Sequence, residues 1–135
     1  MFEPKRRKYR KSFRGRMRGV ATSGSSLAFG EFGLKAMGRA WLSSKQLEAG
    51  RRAITGTLKR GGKIWIRVFP DMPVTARAAG QRMGGGKGDI DRYVAVITPG
   101  KLIYEVAGVS EEAAVSALLK AGSKMPFKTK IVKRD

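Results

Sequence analysis

The sequence contains no cysteine and no histidine. That excludes disulfides and thiolate chemistry, and removes the usual zinc ligands and the commonest general base. Acids are scarce as well: ten among 135 residues, at Glu3, Glu31, Glu48, Asp71, Asp89, Asp91, Glu105, Glu111, Glu112 and Asp135. Most fall at expected helix starts and turns, in water. Asp89 and Asp91 are near enough in sequence for a cation, but they stand beside Arg92, and solvation or pairing with it is the plainer reading. Catalysis needs an enclosed pocket around its acids, and no enzymatic activity, metal or cofactor is expected. Long apolar runs are missing too: none approaches the ~20 residues of a membrane span. No basic amphipathic helix stands apart to lie on lipid, and the N-terminus has no apolar signal-peptide core. A cytoplasmic protein with no membrane partner is the expectation.

What fills the composition is positive charge. Lysine and arginine number 29, for a formal net charge of +19 and a pI near 11.2. Self-repulsion on this scale opposes compaction and is best offset by a polyanion, with nucleic acid the leading candidate. The length suits one domain, 1–135, able to bury roughly two-thirds of its unfolded surface.

Nine of the cations crowd the first twenty residues: Lys5, Arg6, Arg7, Lys8, Arg10, Lys11, Arg14, Arg16 and Arg18, with Tyr9 and Phe13 among them. No helical or strand period organises this stretch, and such charge density resists folding alone. It reads as a basic arm that orders on RNA, against the plainer reading of a solvated tail. Thr22–Ser26 is a linker-like joint, so that 1–26 is arm and joint and 27–135 the folded core.

Leu27–Ala36 spaces glycines through aromatic residues, which suggests two short strands with a bulge or bend. Ser43 followed by Gln46 is a capping box, and a helix over 44–59 puts Leu47, Gly50, Ile54 and Leu58 on one stripe. Lys45, Glu48, Arg52, Thr55 and Lys59 fall opposite, and Gly61-Gly62 stops the helix. Tyr93–Ile97 and Lys101–Val106 read as strands of a hairpin closed by Thr98-Pro99-Gly100. Ser110 caps a second helix with Glu111 and Glu112 in its first turn, an apolar stripe of Ala114, Val115, Leu118 and Ala121, and an end at Met125-Pro126. Phe127–Lys133 is a candidate edge strand whose lysines discourage self-association. The expected fold class is α+β: two helices packed on a mainly antiparallel sheet, with the basic arm and a long Gly-rich loop over about 71–92.

The centre of the chain is Lys63–Pro70. Alternation along a strand puts Ile64, Ile66 and Val68 on one face and Lys63, Trp65, Arg67 and Phe69 on the other. The first suits burial. The second interleaves cations with rings, which suits phosphates and exposed bases, though an outer sheet face under a loop would look the same. Further on, Arg82-Met83-Gly84-Gly85-Gly86-Lys87-Gly88 sets three glycines between cations. Without Cβ atoms such a backbone can press on a polyanion; the alternative is a hairpin tip with no partner. It is not a nucleotide-triphosphate loop, because Gln81 stands where glycine is needed and Gly88 where Ser or Thr is. Nor is it a dinucleotide fingerprint, because Asp89 stands at the third glycine.

These residues resemble a known family, protein sixteen of the bacterial-type large ribosomal subunit. The resemblance runs over the whole chain, through Pro4-Lys5-Arg6, Arg14-Gly15-Arg16, Phe29-Gly30, Phe32-Gly33-Leu34, Ala53-Ile54, Gly62–Asp71, Arg82-Met83-Gly84, Lys87-Gly88, Ala107-Gly108-Val109 and Lys128-Thr129-Lys130. It implies a non-enzymatic structural constituent of the large subunit that binds its rRNA near the aminoacyl-tRNA site, beside neighbouring ribosomal proteins and without homo-oligomers. By position, it implies that the arm cations and Lys63, Trp65 and Arg67 are rRNA-binding, and that Arg82, Met83, Gly84, Lys87 and Gly88 lie near tRNA. Gly85 stands where the family often has lysine, and the aromatic usual after the loop is Tyr93 beside Arg92. The rivals are a free-standing RNA-binding or ribosome-assembly factor, and an RNA-acting enzyme. The latter would need an acidic cluster or cofactor loop.

Overall fold

The structure is a computed structural model that describes residues 24–59, 61–76 and 89–134, apart from the side chains of 75, 76 and 89–91. The arm cations from Lys5 to Arg18 and the loop residues from Arg82 to Gly88 lie outside the described residues.

In chain order the elements are β1 (Phe32–Ala36), β2 (Ala40–Ser43), α1 (Ser44–Leu58), β3 (Lys63–Ile66), β4 (Met72–Ala76), β5 (Asp89–Ile97), β6 (Leu102–Ala107), α2 (Glu111–Gly122) and β7 (Thr129–Lys133). The strands form two sheets, ordered β3-β6-β1-β7 and β2-β5-β4, and every pairing is antiparallel. The helices pack on each other and against the sheets. The expected α+β class holds, with two sheets in place of one.

α1 follows from its local sequence. The Ser43 hydroxyl accepts from the Gln46 N–H at 3.2 Å, and the Gln46 side chain accepts from the Ser43 N–H at 3.0 Å. These reciprocal bonds satisfy two donors that the first helical turn leaves open. The buried stripe is Ser44, Leu47, Gly50, Ile54 and Leu58, as the 3.6-residue period requires. Termination differs in detail from expectation: Lys59 itself takes the left-handed conformation, at φ 50°, before the two glycines. On the outer face Glu48 pairs with Arg52 at 3.2 Å and also with Arg51, and these partners hold its carboxyl below the ordinary range, the Arg51 hydrogen bond foremost.

Three expectations are corrected. First, β5 and β6 do not form a hairpin. The turn is present, with Gly100 at φ 95° and the Lys101 N–H on the Thr98 carbonyl. However, the Gly100 N–H goes to the Ala36 carbonyl and the Ala36 N–H to the Lys101 carbonyl. The end of β1 therefore captures the turn and passes the chain from one sheet to the other. Second, α2 buries Ala114, Ala117, Leu118 and Ala121, with Val115 only half-buried. The helix also ends at Gly122, ahead of Met125-Pro126, with Ser123 as its cap. Third, only Phe32–Ala36 of the 27–36 stretch is a strand, while strands reach into the stretch read as loop. Met72 pairs with Val94, and so on to Ala76 with Asp89; residues 77–88 lie outside the described residues. β7 is the edge strand expected, paired to β1 alone.

Cross-strand partners share a face, which fixes the two sides of the first sheet. Phe32 and Ile64 flank Val106, and Leu34 and Ile66 flank Tyr104. These six face the helices, where the Tyr104 hydroxyl donates to the Leu47 carbonyl of α1 at 2.5 Å. On the other side, Gly33 and Trp65 flank Glu105.

Candidate nucleic-acid interface

The alternation read from the sequence places Lys63, Trp65 and Arg67 together on that second side. Lys63 is exposed, and Trp65 and Arg67 are half-buried. Arg67 lies one residue beyond β3, yet its N–H donates to the Ile103 carbonyl at 2.9 Å, so the strand alignment continues through it. Ile64, Ile66 and Val68 pack against the core as expected.

What holds this face is a buried carboxylate. Glu105 sits inside an otherwise apolar strand and is completely buried. A charge taken out of water in this way requires partners, and Glu105 has four. Its Oε1 accepts from the N–H groups of Ala28, Phe29 and Gly30 at 3.0, 3.0 and 2.9 Å. Its Oε2 accepts from the guanidinium of Arg67. Burial pushes the carboxyl pKa upward, but the Gly30 N–H, Arg67 and the other two amides together outweigh it, so the group stays below its ordinary range.

Segment 28–30 is thereby clamped over the sheet, and it approaches closely. A Cβ on Gly30 would lie 2.7 Å from the Val106 carbonyl oxygen. From the far side, Arg134 donates to the Gly30 carbonyl through Nε at 3.1 Å and Nη2 at 3.0 Å. The clamp presents the Phe29 ring. It stacks on Trp65 with centroids 6.0 Å apart and planes 18° from parallel, and the Arg67 guanidinium lies 5.3 Å from its centroid.

Arg67 is therefore a bonded part of the scaffold, at 17% side-chain exposure, rather than a cation left open on the surface. Sequence reading missed Glu105 and Phe29. The available signal for Glu105 was a lone acid within Leu102–Val106, a strand with no polar alternation. Phe29 carried none beyond being an aromatic before glycine. Arg92 is exposed and Tyr93 half-buried on β5. Among the described residues no three acids converge as a metal site, and no helix is long and apolar enough to cross a membrane.

Residues 4–132 match the family described as Ribosomal protein L16p/L10e. Over 133 residues the chain is 57% identical to the large ribosomal subunit protein uL16c of Stigeoclonium helveticum, covering 98% of each chain. A match of that length leaves no part of the fold outside the likeness, and the chain belongs to the L16p/L10e family of ribosomal proteins, as a structural constituent of the large ribosomal subunit.

Proposed function

We propose that the chain binds large-subunit rRNA through its basic arm (Lys5, Arg6, Arg7, Lys8, Arg10, Lys11, Arg14, Arg16 and Arg18) and through the β3 face of Lys63, Trp65 and Arg67. In this reading Arg82, Met83, Gly84, Lys87 and Gly88 meet tRNA at the aminoacyl site, neighbouring ribosomal proteins complete the contacts, and the chain acts as a monomer without catalysis. The observation that carries the rRNA half is the β3 face itself: an exposed lysine beside a half-buried ring on a strand whose opposite face is core. Lys63 is its exposed member. Lys63→Ala should leave the melting temperature unchanged and weaken binding to protein-free large-subunit rRNA, with a salt dependence shallower by about one unit, as for one lost phosphate contact. An unchanged affinity and slope would remove this face from the interface.

The tRNA half rests on cations beside glycines in a stretch with Met83 as its only large apolar residue. Arg82→Ala combined with Lys87→Ala should leave incorporation into large subunits intact. Those subunits should accommodate aminoacyl-tRNA less well by about 1–3 kcal/mol, the range for two charge-assisted contacts. The measurement is tRNA binding and peptide-bond formation on purified mutant subunits, with occupancy of the protein quantified alongside. Normal accommodation at full occupancy overturns the tRNA role, and lost occupancy reassigns the loop to rRNA. The compartment is that of the ribosome carrying the protein. We take it to be the cytoplasm, and the uL16c relative makes an organellar ribosome the second reading; immunoblots of fractionated cells separate the two.

A further inference from the structure

Phe29 is an anomaly in the outer face. It is 59% exposed, the most open aromatic among the described large apolar residues, yet it is held with unusual firmness for a surface ring. Its own N–H and those on either side bond the buried Glu105 carboxylate. Its ring meets Trp65 and the Arg67 guanidinium, and Arg67 is itself anchored by Glu105 and donates to the Ser26 carbonyl at 3.3 Å. A ring exposed for no purpose would cost hydrophobic free energy and would not need a buried charge cluster to fix it.

We infer that Phe29 is a stacking platform for one unpaired nucleobase of rRNA, a site that extends the β3 interface proposed above and rests on that reading. Three features fit a base better than a neighbouring protein's apolar side chain. The ring is backed by a second ring, so a base on its open surface continues a stack. The Arg67 guanidinium, held over the ring at 5.3 Å from its centroid, adds positive potential to the platform that an electron-rich base would meet. Lys63, two residues before Trp65 on the same strand face, is placed for the phosphate of the same or an adjoining nucleotide. Every base presents a flat face, so the platform selects an unstacked nucleotide rather than a sequence.

The test uses the full chain and protein-free large-subunit rRNA. Phe29→Leu keeps apolar bulk and removes the flat ring; Phe29→Tyr keeps the ring. The Leu variant should bind at least about five-fold more weakly, the lower end of what base–aromatic stacking contributes. Its salt slope should be unchanged, because no phosphate contact is lost; the Tyr variant should bind as wild type. Equal binding by the Leu variant overturns the platform, and is the outcome expected if a protein neighbour covers the ring. A lower slope in the Leu variant also overturns it. Should the wild type itself fail to bind rRNA, the underlying interface falls together with the platform. A second measurement needs no variant: ultraviolet irradiation of the wild-type complex, then trypsin and mass spectrometry. A nucleotide attached at Phe29 supports the assignment, and attachment elsewhere on β3 with none at Phe29 counts against it.

Discussion

Glu105→Ala should destabilise the isolated protein by about 3–5 kcal/mol, the usual cost of breaking a buried ion pair by removing one partner. The substitution removes the one anionic partner of the Arg67 guanidinium among the described residues and, at the same stroke, the acceptor of three backbone N–H groups of segment 28–30. The Gly30 N–H is the buried one among these donors, and left without an acceptor it adds its own penalty. Urea unfolding at pH 7 measures the loss, and a change under about 1 kcal/mol would mean that solvent replaces these partners. The same group predicts an acid dependence. Its carboxyl sits below the ordinary range in the folded protein. The native state therefore binds the proton less readily than the unfolded chain, and the stabilisation is fully present above the unfolded pKa near 4.5. It is lost as pH falls through the lower, folded value. Glu105→Gln, which cannot ionise, should be clearly less stable than wild type at pH 7, and that gap should narrow steadily below about pH 4.5. A gap independent of pH would show that the charge on Glu105 is not what stabilises the clamp.

Glycine-to-alanine changes inside one helix should have opposite signs at two positions. Gly56 is exposed on α1, where an added Cβ would meet nothing within 4 Å, and Gly56→Ala should stabilise by about 1 kcal/mol through helix propensity alone. Gly50 is buried on the same helix, where a Cβ would collide with the Tyr104 hydroxyl and approach Tyr104 Cζ and Met125 Cε to 2.9 Å. The tyrosine cannot step aside cheaply, because its hydroxyl donates to the Leu47 carbonyl and the whole residue is buried. Burial also pushes its phenol pKa upward, so it remains a protonated donor throughout the ordinary pH range. Gly50→Ala should therefore cost about 3 kcal/mol or more, combining an overpacked core with a displaced buried hydroxyl. Denaturant midpoints of the two variants check the contrast. Stabilisation by Gly50→Ala, in particular, would show that α1 moves away from β6 without penalty.

The elements that the sequence disclosed are those whose determinants are close together in the chain. The cap of α1 needs only Ser43 and Gln46, and its buried stripe follows from a fixed angular step. The assignment of Ile64 and Ile66 inward, and of Lys63 and Trp65 outward, needs only a period of two. The pairing of β5 with β2 and β4 is another matter. Turn chemistry at Thr98–Gly100 is the same whether the flanking strands pair or part, and what parts them is Ala36, more than sixty residues earlier. Glu105 was illegible for the same reason, since its three amide donors lie over 70 residues away. In α2, alanines fit either side of a stripe, so Ala117 and Val115 could be told apart only by where α1 packs. The arm and loop cations are legible as charge alone.

The position of β1 has a consequence for synthesis. It lies inside its sheet between β6 and β7, so its neighbours are residues 102–107 and 129–133, which leave the translating ribosome long after Phe32–Ala36. Pairings this distant make the contact order high and folding correspondingly slow. Until Thr129–Lys133 emerges, one flank of Phe32–Ala36 has its amides and carbonyls unpaired, an edge that invites pairing with other chains. The main sheet thus closes only after Thr129–Lys133 has been synthesised. During that interval the chain is cationic and incompletely folded, with a strand edge open to other chains.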